Sequence, residues 1–251
     1  MTDAEVLYGE IAKHGNLLLS GIVGSQAYGL ANEQSDADRL GIFAAPTLGL
    51  CGLSEPKESH VYSEPADAAF HEVGKFARLA LACNPTVLEL LWLDDYELTT
   101  PLGRKLIDIR SSFLSAPRVY DAYLGYARSQ FRKLQMRADG TFSSDTANRS
   151  AKHARHMARL INQGLELYTT GHLTIRVQDP DWYRDFSRQS PDEWTQWFAS
   201  MEHEFATATT QLPYRPNADD VEQWLNLVRI ENLPSGITRR IRFWLDEDES
   251  V

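Results

Sequence analysis

The chain has 251 residues, 43% hydrophobic and 24% charged, the balance of a folded globular protein long enough to bury a sizeable core. Its formal net charge of −10 argues against wholesale, sequence-independent binding to nucleic acid. Apolar runs such as 17–24 and 87–93 are too short or too interrupted to cross a bilayer, so no membrane role is expected.

The start of the chain is acidic and amphipathic, without the basic-then-apolar layout of a secretion signal. Cys51 and Cys83 stand apart from any CxxC pair or histidine partner. Reduced thiols in a cytoplasmic protein are the expectation.

Residues 3–14 have the apolar spacing of an amphipathic helix, and 16–24 (NLLLSGIVG) read as a buried strand ending in a Gly-Ser turn. A second strand, 36–46, is stopped by Pro46. Residues 67–73 (DAAFHEV) alternate weakly as a third strand and run into a helix over 73–83. Asn84 is placed to cap the next helix, with Pro85 at its first position. From about residue 100 the text is helical, over 117–136, 149–171 (closed by Gly171), 191–212 and 218–233. The stretch 138–150, polar and rich in Gly and Ser, reads as a loop, and the acidic tail 245–251 as frayed. Together these predict an α+β fold: a small mixed sheet with flanking helices over 1–100, then a helical domain over 101–251 for substrate or acceptor.

The stretch GIVGSQAYGLANEQSDADRLGIF, residues 21–43, carries the chemistry. A strand that ends in Gly24-Ser25 and enters a helix offers free backbone N–H groups and a hydroxyl to an anion, and glycine lets the backbone come close. Asp36 and Asp38 lie two apart on the next strand, so both side chains point to one face. Paired carboxylates repel unless a cation sits between them, and open oxygen sites suit Mg²⁺ shared with substrate phosphates. Alone, a Gly-Ser turn or an Asp-x-Asp pair is ordinary loop text. In this order they form the inventory for metal-assisted phosphoryl or nucleotidyl transfer.

GSQAYGLANEQSDADRLGIF (24–43) resembles the signature of the DNA polymerase beta-type nucleotidyltransferase superfamily, in its bacterial and phage branch. The similarity continues through HEVGKFARLALACNPTVLELLW (71–92), KHARHMARLINQGLELYTTGHL (152–173) and LPYRPNADDVEQWL (212–225). The resemblance implies two Mg²⁺ or Mn²⁺ ions and transfer of a nucleoside monophosphate from an NTP to a hydroxyl, with pyrophosphate released. By position, Gly24 and Ser25 would hold the nucleotide phosphates, and Asp36 and Asp38 the metals. A third carboxylate, ligand and base, is expected from a later strand: Asp67 first, with Glu72 the alternative at a helix start, where a carboxylate also stabilises.

Lys152, His156 and Arg159 fall at i, i+4 and i+7 on one helical face. Such a face is often merely solvated, but beside a two-metal site it would grip a triphosphate or an acceptor. Between Tyr126 and Leu160 eight basic residues stand against Asp139 and Asp145, a local charge of +6 that leaves −16 for the rest. The acceptor is left open among an RNA or DNA end, a protein and a small molecule, the charge leaning towards a polyanion. A nucleotide-binding sensor or antitoxin-like partner module of the same fold is the competing reading. Glu89 reads as a structural residue that pairs or caps locally.

Overall fold

The computed structural model describes residues 2–32, 35–138, 144–235 and 237. The chain opens with α1 (Asp3–Ile11), β1 (Asn16–Val23), the single-turn α2 (Gly24–Tyr28) and β2 (Asp38–Ala44). There follow α3 (Thr47–Leu50), β3 (Ser59–Tyr62), β4 (Ala68–Glu72), α4 (Val73–Leu81), α5 (Pro85–Leu88) with a 3-10 turn over Glu89–Trp92, and the short β5 (Leu98–Thr99). The remainder is helical: α6 (Pro101–Asp108), a 3-10 turn over Arg110–Phe113, α7 (Ala116–Ala138), α8 (Ser144–Thr170), α9 (Pro180–Phe186), α10 (Pro191–Thr207) and α11 (Ala218–Glu231).

Local chemistry sets most of these boundaries. Thr2 and Glu5 form a reciprocal capping box that starts α1, and Ser190 and Glu193 do the same for α10. Asn84 caps α5 with Pro85 behind it, and the same device recurs at Thr100-Pro101 and Asp179-Pro180. Gly171, at φ +73, closes α8 with its N–H donated to the Leu167 carbonyl.

The five strands form one mixed sheet in the order β3-β4-β2-β1-β5. β1 and β2 are antiparallel, β2 and β4 parallel, and β3 and β5 are antiparallel edge strands. The central β1 and β2 are buried through most of their length, which is why their sequences run apolar rather than alternating. One continuous apolar core reaches from Leu18, Leu40 and Ile42 through Phe76 and Leu90 to Tyr123, Ile161, Phe205 and Trp224. Residue 100 thus falls between β5 and α6, but the sheet and the long helices are packed on a shared interior. A smaller cluster of Leu7, Ile11, Phe43, Ala45, Ala68 and Phe70 lies under α1. α7 and α8 form an antiparallel hairpin whose close crossing depends on Gly164. A Cβ there would stand 2.6 Å from Tyr123 Cβ and 2.8 Å from its ring.

The α+β architecture agrees with the sequence pattern, and the details depart from it at identifiable places. The expected loop 138–150 is helical from Ser144 onward, because Asn and Ser at the open start of a long helix cost little once its apolar stripe is packed. Residues 139–143 and the acidic tail 245–251 lie outside the described residues. β3 is a half-exposed edge strand with little apolar signal, and β5 has two residues, so neither announces itself by periodicity. Among the described residues no helix is long and apolar enough to cross a membrane, and both cysteines are free thiols.

Candidate active site

The site forms where β1 ends and β2 and β4 begin. Register pairs Val23 with Asp38 across the antiparallel β1–β2 ladder and Arg39 with Ala68 across the parallel β2–β4 ladder. One step back along the parallel pair, the Arg39 N–H donates to the Asp67 carbonyl at 2.9 Å, which sets Asp67 beside Asp38. Alternation sends the Arg39 side chain to the opposite face, where its guanidinium holds Glu97 in a two-pronged contact at 3.0 Å.

Gly24 makes the approach possible. Its φ of +70 is left-handed, and a Cβ on it would lie 2.4 Å from Asp38 Oδ2. The carboxylate is therefore seated directly against the backbone of the turn, and a side chain at position 24 would occupy its place. The turn continues into α2, which Gly29 (φ +73) ends. Gln26 reaches the Ser35 carbonyl at 3.5 Å, tying α2 to the segment that carries Asp36.

Asp38 is half-buried, whereas Asp36, Asp67 and Lys152 are exposed. Burial, and then the neighbouring charges of Asp67 and Asp36, push the Asp38 carboxyl above its ordinary range, with Lys152 pulling the other way. Three acids and one lysine, from three separate segments (Asp36 just before β2 and Asp38 at its start, Asp67 before β4, and Lys152 on α8), thus share one electrostatic neighbourhood. Among the described residues no group of three or more His, Cys, Asp or Glu side chains converges tightly enough to hold an ion. The donors nevertheless fit Mg²⁺ or Mn²⁺: they are hard carboxylate oxygens, and Mg²⁺ takes one or two protein carboxylates and completes its shell with water and phosphate.

Glu72 is otherwise engaged. It caps α4 by accepting from the Gly74 N–H at 2.7 Å and takes the Arg229 guanidinium on both oxygens, the second at 2.9 Å. It also sits five residues along from Asp67, roughly 16 Å at about 3.3 Å per residue.

The predicted cationic face of α8 divides in depth. Lys152 is exposed and its charge reaches Asp38, while Arg159 lies under Tyr28 of α2 with His156 beside it. Arg159 is 4% exposed. Its guanidinium lies 3.8 Å over the Tyr28 ring, donates to Gln163 Oε1 at 2.6 Å and to His156 Nδ1 at 3.1 Å, and stands 3.9 Å from Glu89. Burial and the adjacent Arg159 push His156 down to about 3, so it is a neutral acceptor. Glu89, 3% exposed, accepts from the Tyr28 hydroxyl, a partner 61 residues away rather than a local one. Burial lifts its carboxyl to about 7 against the pull of Arg159.

Tyr28, Glu89 and Arg159 therefore make a buried support under α2. The sequence pattern includes Tyr28 in the motif GSQAYGL without giving it a role, and it has Glu89 pair or cap locally. The available signal was a carboxylate inside the apolar run VLELLWL, which has to find a partner if it is buried. A cavity of about 540 Å³ lies elsewhere, lined by Glu10, His14, Lys57, His60 and Tyr62, at the Phe43 end of β2.

Residues 3–185 match the model of the family described as RNA repair pathway DNA polymerase beta. The crystal structure of a nucleotidyltransferase-like protein from Exiguobacterium sibiricum 255-15 is similar at 14% identity, over 90% of this chain and 78% of that one, with a TM-score of 0.33. No curated protein matches the chain.

Proposed function

The chain belongs to the RNA repair pathway DNA polymerase beta family, and from that premise we propose that it is a metal-dependent nucleotidyltransferase that adds a nucleoside monophosphate from an NTP to the end of an RNA. The observation that carries the reading is the seat of Asp38, pressed against the α-carbon of Gly24 and charge-coupled to Asp67 and Asp36. A folded scaffold without chemistry gains nothing from a partly buried, self-repelling carboxylate group.

In the proposed reaction the acceptor hydroxyl oxygen bonds to the α-phosphorus, the bond from that phosphorus to the bridging oxygen of the β-phosphate breaks, and pyrophosphate leaves. Two Mg²⁺ or Mn²⁺ ions, held by Asp36, Asp38 and Asp67, would supply charge neutralisation at the entering and leaving oxygens. Asp67, exposed at the rim, is the residue assigned to receive the hydroxyl proton. Gly24 and Ser25 present backbone N–H groups and a hydroxyl to the triphosphate, and Lys152 adds positive charge from α8. His156 and Arg159 act from below by fixing Tyr28 and so the turn. RNA as acceptor is supported by the family's description and by the +6 segment from Tyr126 to Leu160.

The test is label transfer from α-labelled NTPs, with Mg²⁺ or Mn²⁺, to pools of RNA, DNA and protein. Asp36→Asn and Asp38→Asn are each expected to abolish both transfer and pyrophosphate release. Undiminished turnover in both variants would overturn the assignment. NTP binding with no pyrophosphate release on any acceptor would instead favour a sensor.

A further inference from the structure

The segment between α8 and α9 is held on the catalytic turn from the helical side. Gln163 on α8 donates to the Thr174 carbonyl at 2.9 Å and the Ile175 carbonyl at 3.2 Å. Glu166 accepts from the Thr174 N–H at 3.0 Å and from its hydroxyl at 2.5 Å. Leu173, Ile175 and Val177 point into the core, and the Val177 N–H donates to the Tyr28 carbonyl at 3.1 Å. These anchors alternate along the segment, so the residue between Ile175 and Val177 must face outward.

That residue is Arg176. Its guanidinium lies across Gly29: a Cβ on Gly29 would stand 3.0 Å from Arg176 Nη1, 3.7 Å from Cγ and 3.8 Å from Cζ. Gly29 is four residues beyond Ser25 on α2, about 6 Å at about 1.5 Å rise per residue. Arg176 is exposed, but its side chain lies over Gly29 and its backbone is held on both sides, which limits its conformational freedom. Its neighbours Arg184 and Arg188 are each closed by an aspartate three residues back. Among the described residues, Arg176 has no carboxylate within 4 Å and no hydrogen-bond acceptor. An exposed guanidinium on a pinned segment, unpaired among the described residues and beside a phosphate-sized turn, is suited to two-pronged contact with phosphate oxygens.

We propose that Arg176 binds the triphosphate of the donor nucleotide, so that the helical half of the chain completes the nucleotide site begun by Gly24 and Ser25. The assignment rests on the nucleotidyltransferase reading. It also gives the pinned segment a purpose: it carries charge from the helical half to a turn whose own sequence, GSQAYGL, contains none.

The experiment is calorimetric binding of Mg²⁺·tripolyphosphate, and separately of a single-stranded RNA oligonucleotide, to the full chain and to three variants. Arg176→Met keeps the stem over Gly29 and removes the charge, whereas Arg176→Lys keeps charge but not the fork. Ser25→Ala reports on the turn itself. Arg176→Met is expected to weaken Mg²⁺·tripolyphosphate roughly 10- to 100-fold, the loss of one charge-assisted contact, with Arg176→Lys between it and the wild type. The thermal midpoint without ligand should not change, which a purely structural arginine would not allow. Wild-type affinity in Arg176→Met, or a loss confined to the RNA, overturns this assignment while the Ser25→Ala loss preserves the parent reading. No tripolyphosphate binding by the wild type would overturn both.

Discussion

Replacing Gly24 with alanine tests the geometry on which the site depends. The backbone there is at φ +70, which costs a non-glycine residue about 1–2 kcal/mol. The new methyl group would also stand 2.4 Å from Asp38 Oδ2, with the Cβ and Cγ of Asp38 at 3.3 Å, and such an overlap adds about 1–3 kcal/mol. Gly24→Ala should therefore destabilise the protein by about 2–5 kcal/mol and abolish transfer, since the carboxylate must leave its seat. In an Asp38→Ala background the overlapping oxygen is gone, and the second substitution should cost only the backbone share. The double-mutant cycle, read from urea midpoints, should thus give a coupling of about 1–3 kcal/mol, well beyond the ~0.5 kcal/mol scatter of independent sites. Additive losses, or a Gly24→Ala protein with wild-type turnover, would refute the proposed contact between turn and carboxylate.

Asp38→Asn should raise the thermal midpoint near neutral pH while removing activity. A carboxyl lifted on folding contributes stability at low pH and loses it as pH rises through the lifted value, so the ionised group opposes folding near neutrality. Glu89, lifted from 4.5 to about 7, follows the same sign. Across that window it should withdraw about 3 kcal/mol of stability as pH rises, about 1.4 kcal/mol per unit, and urea midpoints of Glu89→Gln should show a flatter profile between pH 4.5 and 7. Glu72→Ala strands the partly buried Arg229 and uncaps α4, so a loss of about 3 kcal/mol in denaturant with kcat retained is expected. Asp67→Asn should do the reverse, and equal kcat losses in the two would overturn the choice of Asp67. Gly164→Ala should cost about 1–3 kcal/mol by driving α7 and α8 apart at Tyr123, measured as a lower thermal midpoint.

The amino-acid order was sufficient where the deciding physics is local. Short apolar runs bounded by turn residues gave away β1 and β2, period-3.6 patterning gave away α4, α7, α8, α10 and α11, and Asn84-Pro85 and Gly171 marked ends, because caps, turns and amphipathic stripes are set by residues within a few positions. The Gly-Ser turn and Asp-x-Asp pair could be read for the same reason: β1 runs straight into α2, and Asp36 and Asp38 follow a few residues later. Asp67 could be named as a companion of the pair only through the family resemblance, and the other partners chosen by packing across the chain lay beyond reach. Only the parallel β2–β4 register brings Asp67 beside Asp38 and carries Glu72 away to Arg229. Only the fold buries Glu89 against Tyr28, sinks Arg159 beneath α2 while leaving Lys152 exposed, and lays Arg176 over Gly29. These outcomes depend on burial and on charges separated by tens to more than a hundred residues, and no window of sequence contains both members of such a pair.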